Sequence, residues 1–361
     1  MVHNKIDQIK ILRLYLLLPP NKGGMEKHIK FLSEIQSKEN LVDVYFNNGK
    51  KININDVEVL PKLKLFKIKP KFIGIFIFHF AVLFKLLKNK KKYDVIHVHG
   101  DWSALILISL IKILTKSKVV VLSIHDQLTS SFKKKVLSFL IKQVDLIFTS
   151  GADTANYLEP HKPNAVFFQP SGISAVFVDT PSNKVFSNNV ITIANLVPKK
   201  NIDLVIEIAK ICPDYNFKIV GKGPEKQSLE IKMQNIDNVS LIGFKTTEEI
   251  IKLMDNSFAF LLTSFFEGTP TSVLEACSRG LPILTSNVGG LKSIIKDNEN
   301  GYVIDNYDPY YFKSALDKIY NTPDLLELMM TNNSLLGEKF VWDNVARNIT
   351  DQTKKNLKYK L

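Results

Sequence analysis

Short apolar runs of strand length alternate with longer amphipathic stretches along the whole chain. In the first half these runs predict five strands, at Ile11–Leu18, Val42–Phe46, Val95–His99, Val119–His125 and Leu146–Ser150. The pattern then restarts and predicts five more, at Val190–Ala194, Phe217–Val220, Val239–Ile242, Phe258–Thr263 and Ile283–Thr285. Strands that alternate with helices form parallel sheets, so the fold class is α/β with two Rossmann-like domains.

A polar segment without periodicity separates the two halves of this pattern. It predicts an N-terminal domain over 1–178, a linker over 179–189 and a C-terminal domain over 190–340. The last stretch, 341–361, is expected to form a helix. At 361 residues the chain is long enough for two domains of ordinary size.

The composition is that of a folded protein, with 45% hydrophobic and 23% charged residues. The two cysteines, Cys212 and Cys277, have neither metal-ligand nor redox spacing, and we expect core thiols in a reducing compartment. The chain has no apolar signal region ahead of the strand that starts at Ile11. We therefore expect a cytoplasmic protein.

The positive charge is confined to one half of the chain. Residues 1–180 carry 27 Lys and Arg against 14 Asp and Glu, whereas residues 181–361 carry 21 of each. Between Glu58 and Asp94 there are ten lysines and no acidic residue. Such a field attracts an anionic surface or polymer.

An apolar stretch over 72–87 runs directly into the lysine-rich segment 88–92. It is shorter than the roughly 20 residues that span a bilayer. Two interpretations remain open: a helix buried in the N-terminal domain, or an interfacial helix with a basic edge that lies on anionic lipid. The segment 131–142 repeats the mixture of lysines and apolar residues, which favours membrane contact.

Two carboxylates, Glu267 and Glu275, stand eight positions apart across a predicted loop-to-helix junction. We expect the helix to begin near Thr269 as its cap, with Pro270 in the first helical position and Glu275 about two turns in. Free N–H groups at a helix start suit a phosphate or diphosphate. The carboxylates then suit sugar hydroxyls or developing positive charge. The alternative is an ordinary strand-turn-helix with two surface glutamates.

This segment closely resembles the Glu-x7-Glu motif of retaining glycosyltransferases with the GT-B fold, in the family called family 4 or glycosyltransferase group 1. The resemblance extends in order from Gly23-Gly24 to Phe340-Val-Trp342. It implies two Rossmann-like domains facing each other across a cleft, with a final helix that crosses back to the N-terminal domain. It also implies transfer from a nucleotide-diphosphate sugar.

The resemblance assigns the donor site to loops of the C-terminal domain. Glu275 would bind ribose hydroxyls, and Lys200 with the helix start near Thr271 would bind the diphosphate. Glu267 would act at the sugar, without serving as a protein nucleophile. Asn195 stands where the family usually has Arg, which leaves a neutral amide beside the phosphates. The remaining donor residues that the resemblance implies are Gly268, Thr269, Pro270, Gly221 and Phe244.

In the N-terminal domain the resemblance implies that Gly23, Gly24 and His125 close the site over the donor. A flexible turn and a packed histidine are the alternatives. His97 and His99 point to one face of a strand, but no nearby Cys or carboxylate completes a metal site. The chain also has no Asp-x-Asp pair. We therefore expect no metal and no cofactor beyond the sugar donor.

We expect a lipid-linked or saccharide acceptor, used in cell-surface polysaccharide assembly at the inner face of the cytoplasmic membrane. A non-catalytic partner subunit, suggested by Asn195, remains an alternative. A nucleotide-sugar epimerase or a phosphorylase on a related fold is another. Nucleic acid is not expected as a partner, because the lysines lie beside aliphatic residues and no aromatic stacking platform is evident.

Overall fold

The computed structural model describes residues 8–17, 24–50, 52, 54, 56–60, 65–125, 128, 130–179 and 187–360. The chain forms two compact units. The first runs to Gly172 and takes up the segment from Trp342 onward, and the second comprises Ile173–Val341. The expected linker, 179–189, therefore starts inside the second unit, and its residues 180–186 lie outside the described residues.

The first unit contains a seven-stranded parallel sheet in the order β3-β2-β1-β4-β5-β6-β7. Its strands are β1 (Lys10–Leu14), β2 (Leu41–Phe46), β3 (Asp56–Val59), β4 (Val95–His99), β5 (Val119–Ile124), β6 (Leu146–Thr149) and β7 (Val166–Phe168). Its first helices are α1 (Gly24–Gln36), α2 (Lys71–Asn89), α3 (Ile108–Thr115), α4 (Ser131–Leu140) and α5 (Ala152–Leu158).

The second unit contains a six-stranded parallel sheet in the order β10-β9-β8-β11-β12-β13. Its strands are β8 (Asn189–Ile193), β9 (Asn216–Val220), β10 (Val239–Gly243), β11 (Ala259–Leu262), β12 (Ile283–Ser286) and β13 (Gly301–Ile304). Its helices are α6 (Val176–Asp179), α7 (Ile202–Ile211), α8 (Lys226–Lys232), α9 (Thr247–Asp255), α10 (Thr271–Ser278), α11 (Leu291–Ile294), α12 (Pro309–Tyr320) and α13 (Pro323–Glu338).

The last helix, α14 (Trp342–Lys358), belongs to the first unit and packs on α1. Its Trp342 ring stacks on Phe31 at a centroid distance of 5.4 Å, and Gln36 Nε2 donates to Thr350 Oγ1 at 2.8 Å. Trp342 and other apolar residues of α14 share a core with the inner face of α1 and with one face of the sheet. The inner faces of α2, α3 and α4 share a second core with the other strand residues. The first sheet is thus covered on both faces, as parallel sheets require.

Three strands were not predicted from the sequence: β3, β7 and β13. Each is three or four residues long and lies at an edge of its sheet. The predicted strands all exist: β4 has the predicted ends, and the others have shifted ends, with the largest shift in β1, which ends at Leu14. Edge strands bury less of their surface than central ones, so their apolar pattern is weak.

Both sheets reverse their strand order once, between β1 and β4 in the first unit and between β8 and β11 in the second. Loops that leave two neighbouring strands in opposite directions open a crevice at such a point. In each unit a ligand site is therefore expected at the carboxyl ends of these strands, β1 and β4 in the first and β8 and β11 in the second.

Candidate functional site

In the second unit, an ion pair joins the loops that follow β8 and β11. Lys200 Nζ donates to Glu267 Oε1, and the same oxygen accepts a hydrogen bond from Ser264 Oγ at 3.0 Å. The two charged side chains are only 12% and 9% exposed. The sequence predicted both residues of this pair, and the fold brings them together where the strand order reverses. Ser264 was not predicted.

Hydrogen bonds hold these two loops in register. Thr263 Oγ1 donates to the carbonyl oxygen of Asn201 at 2.9 Å, and the Phe265 N–H donates to that of Lys199 at 2.8 Å. Ser286 Oγ, at the end of β12, donates to the carbonyl oxygen of Ser264 at 2.6 Å. These three hydrogen bonds fix the backbone of the loops that carry Lys200 and Glu267, and so they help to fix where the two charges lie.

A third loop, after β12, approaches the backbone beside Glu267. The Gly290 N–H donates to the Gly268 carbonyl oxygen at 3.0 Å. Gly289 has φ +56°, and a Cβ there would lie 1.9 Å from the Gly268 oxygen and 2.5 Å from the Glu267 oxygen. Only glycine allows this approach. The glycine pair at 289–290 was visible in the sequence, but no role had been predicted for it.

The helix that carries Glu275 begins later than the sequence predicted. α10 starts at Thr271, and Pro270 is its N-cap, with φ −65°, ψ 127° and no side-chain capping bond. The prediction of Thr269 as cap and Pro270 as first helical residue was therefore wrong. Glu275 is the fifth helical residue, little more than one turn in and half-buried. The helix still ends as predicted, since Gly280 has φ +68° just beyond Arg279.

The other predicted donor residues lie after β8, β9 and β10. Asn195 is exposed. Gly221 has φ +155°, and a Cβ there would lie 1.8 Å from the Ala194 carbonyl oxygen. The Phe244 side chain is 67% exposed, so core packing is not its role, and Lys222 Nζ lies 4.6 Å from its ring centroid. Because all the strands are parallel, these loops share the carboxyl edge with the ion pair.

In the first unit, four histidines meet at the carboxyl ends of β4 and β5. His99 Nδ1 lies 3.4 Å from His125 Nε2, and the His97 and His99 rings stack at 4.3 Å. His28, on α1, lies edge-on to His125 at a centroid distance of 4.4 Å. His28 was not predicted to take part. Its position one turn into α1, just after the glycine pair, was the signal available in the sequence.

Burial keeps these histidines neutral near pH 7. It lowers the pKa of His125 to about 4 and those of His28, His97 and His99 well below the ordinary value. The buried Arg13 guanidinium, 3.3 Å from His97 Nδ1, lowers the pKa of His28, His97 and His99 further. Neutral imidazoles exchange hydrogen bonds with hydroxyl groups but do not neutralise a phosphate.

His28, His99 and His125 each offer one ring nitrogen, and these three nitrogens lie within 4.8 Å of one another. Neutral imidazole is the form that binds metals. This group could therefore hold a metal ion, with one ligand each from α1, β4 and the end of β5. The sequence had suggested only the pair His97 and His99 on one strand. The expectation of a metal-free protein stays a prediction.

A cavity of about 210 Å³ opens at the β1/β4 reversal, beside the histidines. Its wall is largely apolar, with polar groups from Lys71, His99 and Asp101. Met25, early in α1, also lines it. Gly24 is the first residue of α1. Gly23 lies outside the described residues.

Known proteins resemble both halves of the chain. The family model described as Glycosyltransferase Family 4 matches residues 22–174, and the one described as Glycosyl transferases group 1 matches residues 181–334. A human subunit of phosphatidylinositol N-acetylglucosaminyltransferase is 25% identical over 77% of this chain and 62% of its own length. The Escherichia coli UDP-Gal:alpha-D-GlcNAc-diphosphoundecaprenol alpha-1,3-galactosyltransferase is 28% identical over 70% of this chain and 72% of its own.

Among solved structures, Anabaena HepE in complex with UDP superposes with a TM-score of 0.75. The match covers 96% of this chain and all of that one, at 16% identity. The sucrose-phosphate synthase from Thermosynechococcus elongatus superposes with a TM-score of 0.72 at 17% identity, over 96% and 98% of the two chains. At this identity the likeness concerns the fold, which is that of the GT-B proteins.

Proposed function

The chain belongs to the glycosyltransferases of group 1 and family 4, and on this premise we propose that it is a retaining enzyme using a nucleotide-diphosphate sugar. We propose further that its acceptor is lipid-linked or a saccharide, in assembly of a cell-surface polysaccharide at the inner face of the cytoplasmic membrane. The Escherichia coli relative supports this, since its name gives a UDP-sugar and a diphosphoundecaprenol-linked acceptor.

The Lys200–Glu267 ion pair is the observation that carries the proposal. An ammonium and a carboxylate, both largely withdrawn from solvent, form an ion pair at the strand-order reversal. When a donor binds, its diphosphate competes with Glu267 for the Lys200 ammonium. Glu267 is then released toward the sugar, where a carboxylate stabilises the positive charge that develops as the glycosidic bond breaks. Both groups exchange a protein partner for a substrate partner, so neither is left buried and unpaired.

The rest of the donor binds along the same edge of the second sheet. The N-terminal turn of α10, near Thr271, suits the diphosphate, and Glu275 accepts hydrogen bonds from ribose hydroxyls. The exposed Phe244 ring follows Gly243, whose carbonyl oxygen accepts from the Gly221 N–H, and it offers a face to the base. Asn195 contributes an amide in place of the family's Arg, so Lys200 carries most of the neutralisation. We expect no metal requirement and therefore full turnover in EDTA.

Retention of configuration follows if the acceptor attacks from the leaving-group face, with the departing phosphate taking the acceptor proton. The acceptor hydroxyl oxygen forms the new bond to the anomeric carbon as the bond to the diphosphate oxygen breaks. The neutral His125 donates or accepts a hydrogen bond at the sugar hydroxyls. Glu267 positions the sugar and stabilises charge, and no covalent sugar–enzyme intermediate forms.

Nucleotide binding and sugar transfer test this proposal in two steps. The purified protein is screened by thermal shift against UDP, GDP, ADP and their common sugar conjugates. We expect one nucleotide to raise the unfolding midpoint, and Glu275→Gln to abolish that shift. Glu267→Gln should keep the shift but lower kcat by about 10²–10³-fold. Glu207→Gln, which alters an exposed glutamate paired with Lys210, is the matched control.

Product analysis then separates the alternatives. Transfer of the donor's sugar with its anomeric configuration kept, seen by NMR, supports a retaining transferase. Inversion, or a free epimerised nucleotide sugar, would contradict it. A protein that binds nucleotide yet transfers nothing to any lipid-linked or saccharide acceptor would instead be a non-catalytic subunit, which the neutral Asn195 favours.

A further inference from the structure

One layer of the first unit is covered with exposed apolar side chains. The outer face of α2 carries a stripe of side chains at helical spacing: Ile73, Phe76, Phe80, Phe84 and Leu87. Phe80 and Phe84 are 62% and 69% exposed. At about 1.5 Å rise per residue, this stripe is about 20 Å long. Soluble proteins rarely leave so large an apolar surface uncovered without a use for it.

The neighbouring helices extend this surface. α2, α3 and α4 bury their inner faces in one core against the same face of the sheet, so their outer faces point away from that sheet together. α3 exposes Leu110 and Ile113, and α4 exposes Phe132 and Phe139. We call the exposed apolar residues of these three helices the apolar layer.

Lysines outnumber acidic residues beside the apolar layer, although three of them are paired: Lys91 with Asp43, Lys112 with Asp145 and Lys133 with Asp101. α2, α3 and α4 together contain seven lysines and no Asp or Glu. Lys90, Lys91 and Lys92 follow directly after α2. Apolar side chains beside an excess of ammonium groups match an anionic lipid surface, where hydrocarbon lies behind negative head groups.

α2 is long and apolar enough to cross a bilayer by length and composition alone. Its inner face is nevertheless built into the fold: Phe78, Val82 and Leu86 are buried in the core. His79 Nδ1 donates to the Ile106 carbonyl oxygen at 2.6 Å. Withdrawing α2 into a membrane would open that core, so an interfacial position fits better than a transmembrane one.

We propose that the apolar layer seats the first unit on an anionic bilayer, with the phenylalanines of α2 among the acyl chains and the lysines at the head groups. α2 is buried on one face and exposed on the other, which favours an interfacial helix over a fully buried one for residues 72–87. Residues on the inner side of the same helix, Lys71, Ile75 and Phe78, line the cavity beside His99. If the proposed function holds, a lipid-borne acceptor reaches that cavity along α2.

Vesicle flotation of the full chain tests the surface. One set of vesicles is pure phosphatidylcholine and the other is phosphatidylcholine and phosphatidylglycerol in equal parts. We expect binding to the anionic set to be stronger by tenfold or more, and to weaken as salt rises. The double variant Phe80→Ser with Phe84→Ser should lose about tenfold or more of that binding. Lys85→Gln with Lys88→Gln should lose about fivefold for each charge.

The matched control is Tyr310→Ser with Tyr311→Ser, which removes two similarly exposed aromatic rings from α12 in the second unit. Unchanged binding in the phenylalanine variant, or equal binding to both vesicle sets, overturns the proposal. A third outcome would also overturn it: the wild type is a dimer that binds no vesicles, and the phenylalanine variant is a monomer. The apolar layer would then be an interface between copies of the chain. If the protein binds vesicles but no nucleotide raises its unfolding midpoint, the proposed membrane surface is supported and the proposed function is contradicted.

Discussion

A single oxygen, Glu267 Oε1, accepts hydrogen bonds from both Lys200 and Ser264. The sequence predicted the two charged residues because they stand in a recognisable pattern. Ser264 gives no such signal, since a serine after an apolar strand is common. Its position depends on the pairing of β11 with β12, through which Ser286 holds the Ser264 backbone. Contacts of this kind arise from the fold and not from spacing along the chain.

Gly289→Ala should lower sugar transfer by more than the left-handed backbone strain at this position alone explains. A Cβ at Gly289 would collide with the Gly268 and Glu267 carbonyl oxygens, so the loop carrying Glu267 must move. We expect transfer to fall by about 10²-fold, as for a misplaced catalytic group. The control is Gly243→Ala, which has φ +74° but nothing within 4 Å of the new Cβ. Its cost is the left-handed strain alone, about 1–2 kcal/mol.

Kinetics and urea unfolding measured side by side distinguish the two glycine variants. Equal losses of transfer in Gly289→Ala and Gly243→Ala would mean that the close approach to Gly268 has no part in activity.

Secondary-structure elements divide into those the sequence predicts and those it does not. Central strands such as β4 and β5 are buried throughout, and their long apolar runs predicted them. The edge strands β3, β7 and β13 were missed because their runs are short. The start of α10 was placed one residue early, because Pro270 suits both the first helical position and the extended conformation it has here.

Arg279, just after α10, links that helix to α9 and α6. Its guanidinium binds both carboxylate oxygens of Asp255, the last residue of α9, at 3.0 and 2.7 Å. Its Nη1 also donates to the Phe177 carbonyl oxygen in α6 at 3.0 Å. Arg279→Met should lower the free energy of unfolding of the second unit by about 3–5 kcal/mol, because Asp255 stays buried without its partner.

Lys292→Met serves as the comparison, since it breaks an exposed pair with Asp305. It should leave the urea midpoint unchanged. A midpoint for Arg279→Met that matches the wild type would show that the buried pair contributes no net stability.

Across the whole molecule, the two units differ in how they respond to acid. All seven histidines precede residue 162, and the second unit has none. Burial lowers the pKa of His79 and His125 to about 4, and those of three more histidines well below 6.5. Below about pH 6.5 these rings take up protons when the protein unfolds, whereas in the folded state they stay neutral. The free energy of unfolding is therefore undiminished above about pH 6.5 and falls as the pH drops toward 4.

Acidification should therefore unfold the first unit before the second. Each buried histidine lowers the free energy of unfolding by up to about 1.4 kcal/mol for each pH unit below the pKa it has in the unfolded chain. Both tryptophans, Trp102 and Trp342, lie in the first unit, so tryptophan fluorescence follows that unit alone while circular dichroism follows both. His79→Gln should reduce the pH slope of the fluorescence transition by about one proton. Coincident transitions by the two probes at pH 5 would contradict this prediction.

The place of α14 in the first unit has a consequence for how the protein is made. A ribosome releases the strands of the first sheet early, yet Trp342, which packs against Phe31 and the Gly172 backbone, emerges only after the entire second unit. The second unit is contiguous in sequence and can fold as soon as it is synthesised. The first must wait, with the α1 side of its sheet uncovered, until α14 has also been synthesised. Nascent chains stalled before residue 342 should accordingly recruit chaperones to the first unit.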